Sequence, residues 1–296
     1  MTTYSDNGIA IPKPGEAEIQ EIGNEVGTFG LIETITQRLE ITFPSNRLLQ
    51  EDFSLLYGVG AVTAQKLREE GYRTVGDLLN HPKWRRAARD LLKAIESKDI
   101  PRLARYGASD LQLLSFYQPD SVLFLDIETV GLYYIHPVFL VGFLEFKKGQ
   151  GVIRQFLARD FDEEKAVLYE TAKLLQNVEV VVSFNGRSFD LPYLRGRMRF
   201  HNLDEVLTSF HFDLLRQARR DYKKALPNCR LLTIEKCLLN QERRDDIPGP
   251  EVAEYYYSYL DTGNYDCIYP VLKHNAADLF SMAEFLGLLT SKRTGR

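Results

Sequence analysis

Residues Val122–Leu132, VLFLDIETVGL, have the form of a buried strand: an apolar run rich in β-branched and aromatic residues, closed by a glycine. Two acids interrupt it. Side chains alternate across a strand, so Asp126 and Glu128 project from one face. Each unpaired carboxylate taken out of water costs several kcal/mol even after relaxation, and two on one face repel. A strand written this way needs positive charge from elsewhere.

Downstream of it, HPVFLVGFLEF and GVIRQFLA are strand-like, FDEEKAVLYETAKLLQN has helical periodicity, and VEVVVSFNG is a further buried strand. Helical segments follow, ending in YPVLKHNAADLFSMAEFLGLL. Neighbouring strands, a crossover helix, another strand and more helices predict an α/β domain: a mixed sheet flanked by helices. Upstream, Gly58 and Gly60 bracket Val59 in a tight turn within LLYGVGAVTAQKLREEGYRTVGDLLNH, and apolar residues then recur at helical spacing. Thr74 with Asp77 three residues on predicts a second helix start. HPKWRRAARDLLKAIESKD continues as a basic amphipathic helix. The expected organisation is an N-terminal extension over 1–45 that supplies at most a strand or two, a small helical domain over 46–115, and the α/β domain over 116–296.

The 296 residues are 44% apolar and 26% charged, ordinary values for a globular protein. Lys and Arg number 37 against 41 Asp and Glu, so the net charge is 37 − 41 = −4. That excludes a basic nucleic-acid coat but not local contact with nucleic acid. Cys229, Cys237 and Cys267 have no CxxC spacing, which argues against a disulfide scaffold or a cysteine-rich zinc site. No apolar run approaches the roughly 18 residues of a membrane span, and the N-terminus lacks the apolar core of a signal peptide. The expectation is a cytoplasmic chain without a membrane partner; the sequence leaves its oligomeric state open.

Two other segments carry acids where an ordinary core would not. In VVVSFNGRSFDLPYLRGRM, a strand ends at Asn185–Gly186 and Asp190 stands near the next helix start, the place where α/β sheets put ligands. In HNAADLF, His274 and Asp278 are four apart and share a helix face. Together Asp126, Glu128, Asp190 and Asp278 carry a charge of −4, which two divalent cations would neutralise. Hard oxygen ligands suit Mg²⁺ or Mn²⁺. Such a pair clamps the attacking and leaving oxygens of a phosphodiester in line. His274, with an ordinary pKa near 6.5, is placed to take a proton from the attacking water.

LDIET, SFNGRSFDLPYL and HNAAD, in this order, resemble the three motifs of the DEDD exonucleases of the ribonuclease-H-like fold, and the stretches between them resemble the YprB-like branch. The resemblance covers roughly residues 119–290. It implies a 3′→5′ exonuclease using two metal ions, with Asp126, Glu128, Asp190 and Asp278 as catalytic ligands. One departure concerns His274. Its distance from Asp278 is that of the tyrosine-type relatives, so it would either act as base from the tyrosine's position or only orient water or the substrate.

Substrate contacts are expected from Thr129 beside the first motif, from Asn185, and from Arg195 and Arg197, whose charge would hold phosphates near the cut. The basic run Arg216–Lys224 is taken instead as a solvated helix face. YGVGAVTAQKLREEGYRTVGDLL resembles a helix–hairpin–helix motif, with Gly58 and Gly60 exposing backbone N–H groups to a nucleic-acid phosphate. DNA is favoured over RNA as partner. Two other readings stand beside the exonuclease: a structure-specific endonuclease, and a non-catalytic nucleic-acid-binding module.

Overall fold

The computed structural model describes residues 19–39, 41–147, 149–204, 210–243 and 246–294; the first eighteen residues of the expected N-terminal extension lie outside them. The chain forms two compact units, residues 1–41 with 119–288 and residues 42–118 with 289–296.

The first unit is built on a seven-stranded sheet. Its strands are β1 (Gln20–Asn24), β2 (Gly27–Arg38), β3 (Val122–Thr129), β4 (Val138–Lys147), β5 (Gln150–Leu157), β6 (Val180–Ser183) and β7 (Phe210–Asp213), in the order β1-β2-β5-β4-β3-β6-β7. Neighbours from β1 through β3 in this order are antiparallel, while β6 pairs in parallel with β3 and β7 in parallel with β6. The predicted mixed sheet is therefore present. The 1–45 extension is corrected: residues 20–38 are a hairpin added to the sheet through β2 on β5. Buried apolar residues explain why, since Phe29 and Ile32 both enter the core and Phe29 meets Phe156 edge-on at 5.0 Å. β7 was expected as helix. Its four residues are too few to show a period before Asp213 begins the next helix.

On β3, Leu123, Leu125 and Ile127 enter the main core, which puts Phe124, Asp126 and Glu128 on the other face. Helices cover the sheet: α1 (Glu164–Gln176), α2 (Asp190–Phe200), α3 (Leu214–Tyr222), α4 (Val252–Thr262) and α5 (Tyr265–Thr294). Tyr256 of α4 stacks on Phe139 of β4 with centroids 3.9 Å apart, and its hydroxyl donates to Ala158 O at 2.9 Å. From α5, Ile268, Val271 and Leu272 join the core, so the helix lies with one face down and carries His274–Asp278 to the sheet.

The second unit is helical. A short turn of helix, Phe53–Leu55, precedes Gly58, whose φ of +80° only glycine adopts readily, and Gly60 caps the helix Ala61–Glu69. Thr74 and Asp77 form the expected reciprocal cap: Asp77 N–H donates to Thr74 Oγ1, and Thr74 N–H to Asp77 Oδ2 at 2.7 Å. Leu49, Phe53, Val75, Leu78, Ala88 and Leu91 make its core.

Candidate active site

The site begins where β3 loses its regular pairing. Glu128 pairs with Leu140 and Thr129 with Val138, so one extra residue of β4 bulges at this point. A bulge twists its strand and re-aims the side chains beside it. Two residues back, Asp126 pairs with Gly142, which pairs in turn with Gln155. The missing side chain at 142 admits Asn275 of α5: a Cβ there would lie 1.9 Å from Asn275 Oδ1. Asn275, wholly buried, donates to Asp126 Oδ2 at 2.8 Å and accepts from Gln155 Nε2 at 2.9 Å. Gln155 Nε2 also donates to Leu272 O at 2.9 Å. One buried amide thus fixes the rotation of Asp126.

Asp190 is set by the turn between β6 and α2. Asn185 takes the left-handed conformation at φ +72°, which Asn tolerates better than most residues. Gly186 is required: a Cβ would sit 2.2 Å from Ser183 Oγ. Asp213, buried at the end of β7, accepts N–H groups of Asn185 and Arg187 at 3.1 Å each and also caps α3 through Leu215 N–H at 3.0 Å. The turn then delivers Asp190 to the first position of α2, where its carboxylate accepts the Ile127 N–H of β3.

On α5, His274 Nδ1 shares a hydrogen bond of 2.7 Å with Asp246 Oδ1, and its Nε2 lies 4.0 Å from Asp278 Oδ2. Asp278 Oδ1 pairs with Arg243, which also binds Glu235 and reaches Asp246 Oδ2 at 3.2 Å. Arg243 and Glu235 are both buried, so this is an enclosed ion network rather than a surface pair.

Asp126, Glu128 and Asp190 are perturbed by burial and by neighbouring carboxylates, Asp278 among them, which is the physical sign of convergence. Desolvation first, then the charges of Asp278, Glu128 and Asp190, raises the Asp126 pKa well above the usual carboxylate range. Desolvation, Asp278 and Asp190 do the same to Glu128. Desolvation pushes Asp190 up to about 7, against the stabilising N–H groups of its own backbone and Ile127. For His274, burial opposes the charged form, but the Asp246 hydrogen bond and Asp278 outweigh it and raise the pKa. Groups that hold protons this strongly want a cation. Among the described residues no group of three His, Cys, Asp or Glu side chains is disposed to hold a metal ion as it stands. Asp278 is turned to Arg243 and Asp126 to Asn275. By donor type and charge the set still fits hard divalent cations: four carboxylates, no sulfur, and repulsion that positive charge would relieve.

The other expected contacts divide. Thr129 Oγ1 donates to Gly131 O at 2.7 Å and so shapes the loop after β3. Asn185 works through its backbone, as above. Arg195 is half-buried and lines a cavity beside that loop. Arg197 is a correction. It is buried, pairs with Glu164 of α1 (Nε to Oε1, 2.7 Å), and donates to Tyr134 O and Ile135 O at 3.2 Å. At 3.6 residues per turn, residue 197 lies nearly opposite Arg195 on the helix and so turns inward. Gly58 and Gly60 belong to the second unit. Sequence reasoning missed Asn275, Gln155, Arg243 and Asp246. Asn275 lies inside HNAAD, and that neighbourhood is the one signal that pointed to it.

A family model described as RNase_H superfamily matches residues 123–290, more than half of the chain. The uncharacterized protein YprB of Bacillus subtilis (strain 168) is 29% identical over 170 residues, 56% of this chain and 41% of that protein. DNA polymerase 1 of Aeropyrum pernix is 47% identical over 38 residues, 13% of this chain and 4% of the polymerase. The chain thus matches less than half the length of either relative. The family B DNA polymerase structure from Pyrobaculum calidifontis aligns with a TM-score of 0.46 and 19% identity, over 57% of this chain and 24% of the polymerase. With its first motif on β3 and its matched region spanning the acids of β3, α2 and α5, the chain belongs to the ribonuclease H superfamily.

Proposed function

We propose that this chain is a divalent-metal-dependent nuclease that hydrolyses phosphodiester bonds, acting as a 3′→5′ exonuclease on single-stranded ends, with DNA favoured over RNA. The observation that supports it is the convergence of Asp126 and Glu128 from β3, Asp190 from α2 and Asp278 from α5, where the pKa values of Asp126, Glu128 and Asp190 are raised by burial and by neighbouring carboxylates. Ribonuclease-H-like nucleases in general use divalent metals, and nucleic acid is their substrate. Asp126, positioned by Asn275, would together with Glu128, Asp190 and Asp278 hold two Mg²⁺ or Mn²⁺ ions. Two ions about 3.5–4 Å apart stabilise both the attacking and the leaving oxygen of an in-line displacement.

The protein's own groups then have distinct tasks. Asp246 fixes His274 through Nδ1 and leaves Nε2 facing the Asp278 side, the orientation needed to accept a proton from an attacking water. Arg195 supplies charge for a neighbouring phosphate.

Oligonucleotides labelled at one end test the reading. Digestion in Mg²⁺ or Mn²⁺ should proceed from the 3′ end and stop with EDTA. Asp126→Asn should lose more than about 100-fold in rate, since groups merely behind a metal ligand are worth about 10–100-fold. His274→Ala should lose about 10²–10⁴-fold, the usual contribution of a positioned base. Digestion that survives chelation and Asp126→Asn sinks the proposal, and cleavage of circular substrates would move it to an endonuclease.

A further inference from the structure

We infer that the loop joining β3 to β4, with the facing side of α2, is a stacking platform for unpaired bases of the single strand that leads to the carboxylates. The inference rests on the nuclease reading only for what lies at the end of that strand.

The loop is unusual in composition and in how it is held. Leu132, Tyr133, Tyr134 and Ile135 are consecutive, and they are 79%, 71%, 58% and 71% exposed. Phe200, at the end of α2, is 68% exposed. Scattered apolar side chains on a surface need no explanation, but a contiguous patch of large ones marks a binding site. The backbone beneath is clasped from inside. Tyr193 hydroxyl donates to Gly131 O at 2.8 Å and to His136 O at 3.0 Å. Arg197 donates to Tyr134 O and Ile135 O, and buried Glu164 receives Arg197, His201 and the Val138 N–H that ends the loop. Val130 N–H closes the base of the loop on Pro137 O at 3.2 Å. A buried ion network therefore holds rigid a segment whose side chains face water. That arrangement removes the ordering penalty of binding in advance.

Between loop and helix lies a cavity of about 630 Å³, lined by Tyr134, Ile135, Arg195, Arg199 and Phe200. The floor is Gly196, where a Cβ would come within 2.6 Å of the Tyr134 ring. Aromatic rings beside arginines are the chemistry that grips single-stranded nucleic acid, rings for bases and guanidinium groups for phosphates. An apolar protein partner would make no use of the Arg195 charge beside these rings. Position agrees: the loop starts one residue after Thr129, and α2 starts at Asp190. At 1.5 Å per residue, Arg195 to Phe200 lie about 7.5–15 Å along the helix from Asp190, within a few nucleotides of the acids.

The test uses binding, so that cleavage is not its readout. Full-length Asp126→Asn protein, with and without Tyr133→Ser, Ile135→Ser and Phe200→Ser, is titrated into fluorescein-labelled oligothymidine in Mg²⁺ and followed by anisotropy. All three side chains are exposed, and unchanged melting curves check the fold. The triple variant should bind at least tenfold more weakly, while affinity for a blunt duplex stays within twofold of the parent's. Oligonucleotides carrying 5-iododeoxyuridine should crosslink to peptides containing Tyr133, Tyr134 or Phe200. An affinity for the single strand within twofold of the parent's, or an equal loss on duplex, overturns the platform. Should the wild-type chain prove unable to cut, binding at this loop would still be measured, and only the nuclease reading would fall.

Discussion

At the scale of single residues, the site is a set of acids held against their preference. Each of Asp126, Glu128 and Asp190 has its pKa raised by desolvation and then by neighbouring carboxylates, Asp190 from 3.8 to about 7. An acid that binds its proton more tightly in the folded than in the unfolded state stabilises the fold at low pH, and that contribution is lost as pH rises through the folded pKa. The raised pKa of His274 acts in the same direction. Without divalent ions the protein should therefore lose stability between about pH 4 and about pH 7, and cations that occupy the site should restore it where the acids are ionised. Melting temperatures with EDTA and with Mn²⁺ at the two ends of that range check this: the metal-induced rise should be larger at the higher pH, and Asp126→Asn should diminish it. An equal rise at both ends would mean that the ions bind elsewhere. The acids were legible because a charge inside an apolar run is a conflict that the sequence displays. Asn275 and Gln155 were not, because a neutral amide in a helix or strand raises no such conflict. Arg197 misled because a charged residue inside a charged run gives no hint that its partner, Glu164, waits in the core.

At the scale of elements, three strands and one helix meet at a single level of the sheet: Asp126, Gly142 and Gln155 in register, with Asn275 laid across them. The glycine makes this possible. Gly142→Ala would place a methyl group 1.9 Å from Asn275 Oδ1, and Asn275 has no free space to enter. The substitution should destabilise the protein by about 1–3 kcal/mol, as overpacking in a core does. It should also slow the proposed nuclease by about 10–100-fold, the usual effect of disturbing the group behind a metal ligand. Chemical denaturation and initial rates measure the two effects; a variant as stable and active as the parent would show that α5 is not seated as described. Strand β3, β4, β5, the helix after Phe161 and the last helix were all visible as periodicities of adequate length. The hairpin β1–β2 was read only as a strand or two, because its partner β5 lies more than a hundred residues away. The short β7 was hidden by the helix that follows at once.

At the scale of the whole molecule, two units share one chain, and the second carries a feature suited to phosphate. Gly58 turns the backbone at φ +80°, Gly60 opens the helix Ala61–Glu69, and a Cβ at Gly60 would meet nothing within 4 Å. If this hairpin holds a phosphate on backbone N–H groups at the helix start, as the resemblance to helix–hairpin–helix segments implies, a negative charge placed there should compete with it. Gly60→Asp does so without harming the fold. Residue 60 is the N-cap, in extended conformation, and Asp is among the preferred residues at that position, where its carboxylate accepts the helix N–H groups itself. The variant should melt no lower than the parent and bind nucleic acid more weakly, with a smaller dependence of affinity on salt because one phosphate contact is lost. Two binding elements on one chain also raise each other's effective concentration when one strand spans both. The loss from Gly60→Asp should then grow with oligonucleotide length and vanish for strands too short to engage more than the carboxylate unit. Titrations of a length series at two salt concentrations read all three quantities. An affinity unchanged at every length would place the hairpin's contact on some other partner.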